Sequence, residues 1–121
     1  MREESLYREV LLERLTYPIN QGVLEKPDRK ARLVNPLCGD EVILYLQIRN
    51  NIIDKALYSG TGCAISQVSA SFLAENIQGK NIEKIKKISQ KDLINLLGIN
   101  PGPSRLKCAL LSFEVLQETL K

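Results

Sequence analysis

The fold of this chain is constrained most by an alternating apolar pattern that is followed directly by two asparagines. Apolar side chains alternate through residues 41–49, at Val42, Leu44, Leu46 and Ile48. This spacing is typical of a half-buried strand. Because asparagine tolerates the left-handed backbone of a tight turn, we expect the chain to reverse at Asn50-Asn51. Residues 52–59 would then return as an antiparallel partner strand.

The rest of the chain is predicted to supply one further strand and several helices. Lys30–Val34 is a short candidate edge strand. Helices are expected at 3–16, 64–78, 82–88, 89–97 and 104–119, from their apolar spacing. Ser89 and Asp92 have the spacing of a capping box. The predicted fold class is therefore α+β: a small three-stranded antiparallel sheet packed against several helices, with residues 1–121 as a single domain.

The helical spacing of apolar residues predicts the buried faces of the two long helices. In helix 64–78 the inward residues are expected to be Ile65, Val68, Phe72 and Ile77. In helix 104–119 they are expected to be Leu106, Ala109, Leu110, Phe113 and Leu116. The first of these helices also has small side chains that would let another element approach closely: Ala64, Ser66, Ser69, Ala70 and Ser71.

The segment Gly60-Thr-Gly-Cys63 joins the returning strand to the next helix. Its two glycines allow a sharp, close connection, and Cys63 falls at the start of the helix. Because the hairpin reverses direction, its open end holds both Cys63 and the loop that contains Cys38 and Asp40. We expect these side chains to converge there with Cys108 from the last helix.

The chain has three cysteines and no histidine. An odd number of cysteines in a small chain argues against a disulfide framework and leaves buried thiols, a metal site or a reactive thiol. The absence of histidine excludes Ser-His and Cys-His nucleophile pairs and every zinc site that needs a histidine ligand.

A four-ligand metal site is our hypothesis for Cys38, Asp40, Cys63 and Cys108. The unpaired N–H groups and the dipole at a helix start favour the thiolate of Cys63. Loop backbone can turn Cys38 and Asp40 toward one point. Three thiolates and one carboxylate suit zinc or an iron–sulfur cluster better than magnesium or calcium. A carboxylate is a weaker ligand than a fourth thiolate, so such a site should hold a cluster loosely.

Each of these motifs also has an interpretation without a metal. A free cysteine is often a small buried apolar residue, and both Cys108 on an apolar helix and Cys38 beside Leu37 fit that description. The spacing of the thiols along the chain does not decide between a metal site and buried apolar thiols, since compact zinc fingers use close pairs of ligands. Gly60-Thr-Gly62 could cradle a phosphate, but the Gly-Lys-Ser/Thr of a P-loop is absent.

The charge pattern argues against nucleic acid and membrane partners. Net charge is only +3, and a group of lysines is interspersed with Glu83 and Asp92: Lys80, Lys84, Lys86, Lys87 and Lys91. Mixed charges without aromatic stacking residues are typical of a solvated helical face. No apolar run is long enough for a membrane helix, and the N-terminus has no apolar signal core. A cytoplasmic protein is therefore expected.

Five stretches along nearly the whole chain form one pattern. They are Leu6-Tyr-Arg-Glu-Val10, Asn35-Pro-Leu-Cys-Gly-Asp40, Gly60-Thr-Gly-Cys-Ala-Ile-Ser66, Ser69-Ala-Ser71 and Arg105-Leu-Lys-Cys108. Together they resemble the IscU, SufU and NifU-N-terminal family of iron–sulfur cluster assembly proteins. The resemblance implies an α+β fold and a site for zinc, or for iron or a [2Fe-2S] cluster. Its implied ligands are Cys38, Asp40, Cys63 and Cys108.

Details of the motifs favour the SufU branch of this family. Cys-Ala-Ile-Ser after Gly62 and the Arg-x-Lys-Cys form that ends at Cys108 are similar to SufU, whereas IscU-like members have histidine where Lys107 stands. Two family features are absent: the longer connection between the second and third cysteines that is usual in SufU, and the Leu-Pro-Pro-Val-Lys chaperone-binding stretch of IscU, where Ile99–Arg105 stands instead.

The resemblance implies sulfur transfer from a pyridoxal-phosphate-dependent cysteine desulfurase of the SufS, IscS or NifS type, with apo iron–sulfur proteins as recipients. Cys38 is the implied persulfide acceptor and Cys108 the alternative. Such a protein is a non-classical sulfurtransferase or scaffold rather than a stand-alone enzyme. Three alternatives stay open: a scaffold that builds and transfers a transient [2Fe-2S] cluster, a structural zinc interaction module, and a metal-free helical adaptor with three buried thiols.

Overall fold

The computed structural model describes residues 9, 12–36, 39–97 and 106–121. Its strands are β1 (Arg29–Val34), β2 (Glu41–Arg49) and β3 (Ile52–Thr61). Its helices are α1 (12–16), α2 (Ala64–Ile77), α3 (Ile82–Ile85), α4 (Gln90–Leu97) and α5 (Leu106–Thr119). The three strands form one antiparallel sheet in the order β1-β2-β3. The predicted fold class is confirmed, and the part of the predicted first helix before residue 12 lies, apart from Glu9, outside the described residues.

The hairpin of β2 and β3 turns where the asparagine pair predicts it. Asn50 and Asn51 have φ angles of 53° and 64°, in the left-handed region. From the turn the ladder continues to a last pair between Glu41 and Thr61, with one irregularity beside Gln47. The open end of the hairpin therefore lies at Glu41 and Thr61, so the residues just beyond them leave the sheet side by side.

One face of the sheet packs against α2 and α5 and forms the hydrophobic core. Its sheet residues include Val42, Leu44, Leu46, Ile53 and Tyr58, which are all nearly inaccessible to solvent. The predicted inward face of β2 is confirmed. The predicted burial of seven helix residues is also confirmed: Ile65, Val68 and Ile77 in α2, and Ala109, Leu110, Phe113 and Leu116 in α5. The helices cover one face of the sheet, which explains why β2 alternates in the sequence, although Tyr45 on the other face is also buried.

Two residues predicted to face the core do not lie in it. Leu106 is 39% exposed at the first described residue of α5. Phe72 is only partly buried, in a small second cluster with Ile65 and Ala109, and its ring faces the Arg14 guanidinium at 3.9 Å. Helical spacing places a side chain on a face of its own helix, but it does not tell which neighbour covers that face.

The helix predicted at 82–88 is shorter than expected and ends at Ile85. Lys87 and Ile88 donate backbone hydrogen bonds to residues three positions earlier rather than four. The segment therefore tightens into turns before α4 begins. None of the helices in the described part of the chain is long and apolar enough to cross a membrane.

The capping box at the start of α4 is confirmed and gives a test of its contribution. The Asp92 amide donates to Ser89 Oγ (3.2 Å), and the Ser89 amide donates to Asp92 Oδ2 (2.9 Å). We expect Ser89→Ala to lower the free energy of unfolding by about 1 kcal/mol in urea titrations. Gln90→Ala, at an exposed position one residue later, is the control. An equal loss in the two variants would contradict the capping role.

Candidate metal centre

The open end of the hairpin brings Asp40 against the start of α2. The Cys63 amide donates a hydrogen bond to Asp40 Oδ1 at 2.7 Å. The Cys63 thiol lies 3.0 Å from the other carboxylate oxygen, Oδ2. Asp40 is only 1% exposed. One oxygen of this buried carboxylate is therefore held by backbone, while the other lies beside a sulfur.

Two glycines allow this close approach. Gly62 has φ +126°, and a Cβ added there would overlap Asp40 Oδ1 and come within 2.7 Å of Asp40 Cα. Gly60 has φ +150°, and an added Cβ would overlap the carbonyl oxygen of Glu41. Any side chain at these positions would therefore meet both an unfavourable backbone conformation and the neighbouring strand end.

The third member of the group is Cys108, the third residue of α5 as described. Ile65 and Ala109 pack together in one small cluster, so the start of α5 lies beside the start of α2. An Asp40 carboxylate oxygen and the sulfurs of Cys63 and Cys108 all lie within 4.8 Å of one another. Both cysteines are partly exposed and are not in a disulfide. These two thiols therefore differ from the fully buried apolar cysteines of the metal-free interpretation.

The donor atoms of this group fit a tetrahedral zinc or iron ion. Thiolate and carboxylate ligands of zinc, at bond lengths of about 2.0–2.3 Å, lie roughly 3.5–3.8 Å apart. Asp40, Cys63 and Cys108 offer donor atoms within 4.8 Å of one another, which is close to this separation. A buried carboxylate and two thiols also form a donor set in which a bound cation would offset the cost of burying the negative charge.

The structure brings three of the four predicted ligands together, and Cys38 lies outside the described residues. The described residues on either side of it are hydrogen-bonded to one another beside the site. The Asn35 amide donates to the Asp40 carbonyl at 2.8 Å, and the Gly39 amide donates to the Asn35 carbonyl at 2.7 Å. Gly39 has φ +75°, a conformation that suits glycine. The assignment of all four residues as ligands stays a prediction.

A cavity of about 250 Å³ adjoins the site on the side of α1. Its walls include Arg14, Tyr58, Thr61, Gly62 and Gln67. Burial raises the pKa of the Tyr58 phenol above its usual value, although the Ser71 hydroxyl and the charge of Arg14 act in the opposite direction. Tyr58 is therefore a neutral phenol at physiological pH.

Sequence reasoning missed one polar residue at this site, Gln67. Its Nε2 donates to the carbonyl oxygens of Glu41 and Thr61, both at 3.2 Å. A glutamine near the start of a helix is typical of an exposed polar position, so nothing in the sequence distinguishes it. Only the packing of α2 against the end of the hairpin gives it these partners.

Fold and site together define a small α+β protein with a carboxylate and two thiols at the open end of a hairpin. The sequence model of the family described as NifU-like N terminal domain matches residues 6–121. The chain belongs to this family.

Relatives and solved structures agree with this assignment. The chain is 32% identical to the zinc-dependent sulfurtransferase SufU of Bacillus subtilis over 132 aligned residues, covering 95% of the chain and 89% of that protein. It is 31% identical to the iron–sulfur cluster assembly scaffold protein IscU of Thermotoga maritima over 134 residues, covering 98% and 94%.

A solved structure shows the same fold. The crystal structure of a putative iron–sulfur cluster assembly scaffold protein for the SUF system, from Fervidobacterium islandicum, superposes with a TM-score of 0.77 at 29% identity. The match covers 93% of this chain and 95% of that one. The family resemblance stated from the sequence motifs is thereby confirmed.

Proposed function

We propose that this protein, with residues 1–121 as one domain, serves iron–sulfur cluster assembly by accepting sulfur from a pyridoxal-phosphate-dependent cysteine desulfurase and passing it on. The observation that carries the proposal is that ligand atoms of Asp40, Cys63 and Cys108 lie within 4.8 Å of one another at the open end of the hairpin. Membership in the NifU-like N-terminal family and the similarity to a zinc-dependent sulfurtransferase support it. Apo iron–sulfur proteins are the proposed recipients.

Cys38, Asp40, Cys63 and Cys108 would hold zinc, or iron of a nascent cluster, in this proposal. Bound zinc would keep the thiols deprotonated, which is the form in which sulfur is a nucleophile. The backbone bond from Cys63 fixes Asp40 Oδ1 and leaves Oδ2 beside the sulfur. Because a carboxylate is a weaker ligand than a thiolate, Asp40 would act as the exchangeable ligand, either leaving the metal when Cys38 reacts or taking the place of Cys38.

The sulfur-transfer step is a thiol–disulfide type exchange that needs no external oxidant. The thiolate of Cys38 attacks the outer sulfur of the desulfurase persulfide. A new sulfur–sulfur bond forms on Cys38 while the bond within the desulfurase persulfide breaks, and the desulfurase cysteine leaves as a thiolate. Cys108 is the alternative acceptor, since it is partly exposed.

The test combines metal content with persulfide mapping. The protein is expected to contain about one zinc ion per chain and to stimulate cysteine turnover by the desulfurase. Mass spectrometry should then find one added sulfur on Cys38, and Cys38→Ser should abolish both the added sulfur and the stimulation. Stimulation that survives in Cys38→Ser and Cys108→Ser alike would contradict sulfur transfer at this site.

The scaffold is the second candidate, because the chain is also 31% identical to an IscU scaffold over nearly its full length. In that case the same residues bind a transient [2Fe-2S] cluster as cargo. Reconstitution with iron and sulfide should then give a labile cluster that passes to an apo-protein. A structural zinc module, by contrast, requires that Asp40→Ala remain fully functional and that metal removal unfold the protein.

A further inference from the structure

The side chain of Gln67 connects the first turn of α2 to the last pair of the β2–β3 ladder. Its Nε2 donates to the carbonyl oxygens of Glu41 and Thr61, which are cross-strand partners. Glu41 follows Asp40 directly, and Thr61 precedes Cys63 by two residues. One amide group therefore bridges the two chain segments that carry the candidate ligands.

The neighbours of the amide fix its orientation. The Ser66 hydroxyl donates to the Cys63 carbonyl at 3.0 Å, so its lone pairs face Gln67 Nε2 at 3.2 Å. If the amide were rotated by half a turn, its Oε1 would face the two carbonyl oxygens and repel them. The two N–H groups of Gln67 are thus shared among three acceptors, and they join Ser66 and the backbone of Cys63 to the end of the sheet. Gln67 Oε1 is buried and has no hydrogen-bond partner among the described residues.

This connection bears on the distance between Asp40 and Cys63. The bond from the Cys63 amide to Asp40 Oδ1 spans the same junction, between the start of α2 and the end of the ladder. Each Gln67 bond is long, at 3.2 Å, but both are donated to carbonyl oxygens of residues within two positions of a candidate ligand. Groups that orient ligands in this way typically change metal affinity by about 10–100-fold.

We propose that Gln67 is a positioning residue of the centre. It touches none of the candidate ligand atoms; it holds the start of α2 so that Asp40 and Cys63 stay in bonding reach of one ion. The part of this proposal that concerns metal affinity rests on the proposed function, whereas the part that concerns the Asp40–Cys63 contact does not.

The test uses Gln67→Met, which keeps the length of the side chain and removes its donors. In the zinc-free full-length protein, the Cys63 amide hydrogen should exchange with solvent faster than in wild type, measured by NMR. Zinc affinity, measured by competition with a chromogenic chelator, should fall about tenfold. Gln67→Ala should give the same two changes.

Gln78→Met is the matched control at the other end of α2. Gln78 Oε1 accepts from the Ala56 amide and from Asn20 Nδ2, both at 3.1 Å, so it also joins this helix to the sheet. Gln78→Met should lower the melting temperature about as much as Gln67→Met does. It should leave zinc affinity and Cys63 amide exchange at the wild-type values.

Two results separate this proposal from the proposed function. If Gln67→Met matches Gln78→Met in both Cys63 exchange and zinc affinity, the positioning role is wrong. If wild type itself binds no zinc, the proposed function fails, and Cys63 exchange alone still decides whether Gln67 holds the Asp40–Cys63 contact.

Discussion

Replacing Cys63 with alanine is expected to abolish the metal binding that the proposed function requires. Cys63 supplies one of the three donor groups that lie within 4.8 Å of one another, and its sulfur is 3.0 Å from Asp40 Oδ2. Because even groups that only orient a ligand change affinity by about 10–100-fold, loss of a thiolate ligand should lower zinc affinity by at least about 100-fold. Elemental analysis after a mild chelator wash measures the change.

Ser69→Ala is the control for this substitution. Ser69 lies on the same helix, is fully buried, and its hydroxyl has no hydrogen-bond partner within the described residues. Its replacement removes one buried atom without touching the site, so metal content should equal that of wild type. A Cys63→Ala protein that retained stoichiometric metal would show that the Cys63 thiol is not a ligand.

Gly62→Ala is expected to disrupt the site through Asp40 rather than through a thiol. The added Cβ would overlap Asp40 Oδ1, at a backbone φ of +126°. Strain of this kind costs about 1–3 kcal/mol in unfolding free energy. The carboxylate must also move, so zinc affinity should fall by at least about tenfold. Urea unfolding and chelator competition measure the two effects separately.

Gly79→Ala isolates backbone strain from displacement of the carboxylate. Gly79 also has a positive φ, +86°, but an added Cβ there would meet nothing within 4 Å. We therefore expect this variant to lose stability and to keep wild-type metal affinity. If Gly62→Ala and Gly79→Ala bind zinc equally well, the close approach of Gly62 to Asp40 does not matter for the site.

Local interactions explain what could be predicted from the sequence. The alternation of β2, the positive φ of Asn50 and Asn51, and the Ser89 capping box each depend on residues that are close along the chain. The hairpin then placed Asp40 beside Cys63 by geometry alone, because strands that pair from the turn outward must end together. These local features were enough to predict the fold class and most residues of the hydrophobic core.

Long-range packing explains what could not be predicted. The exposure of Leu106 and the partial burial of Phe72 under Arg14 both depend on which distant element covers a given face. Gln67 has the same explanation, since its carbonyl partners belong to strands that precede it and become neighbours only in the folded chain.

The sequence by itself determined the hairpin, the glycines beside it and the set of thiol and carboxylate groups available for chemistry. Tertiary structure alone decided that the first described turn of α5 lies beside the start of α2, which brings Cys108 to Cys63 across 44 intervening residues. The physical reason is that turn and capping preferences depend on interactions between residues that are neighbours in the sequence. The meeting of two helix starts, by contrast, is set by the burial of both helices on one sheet face.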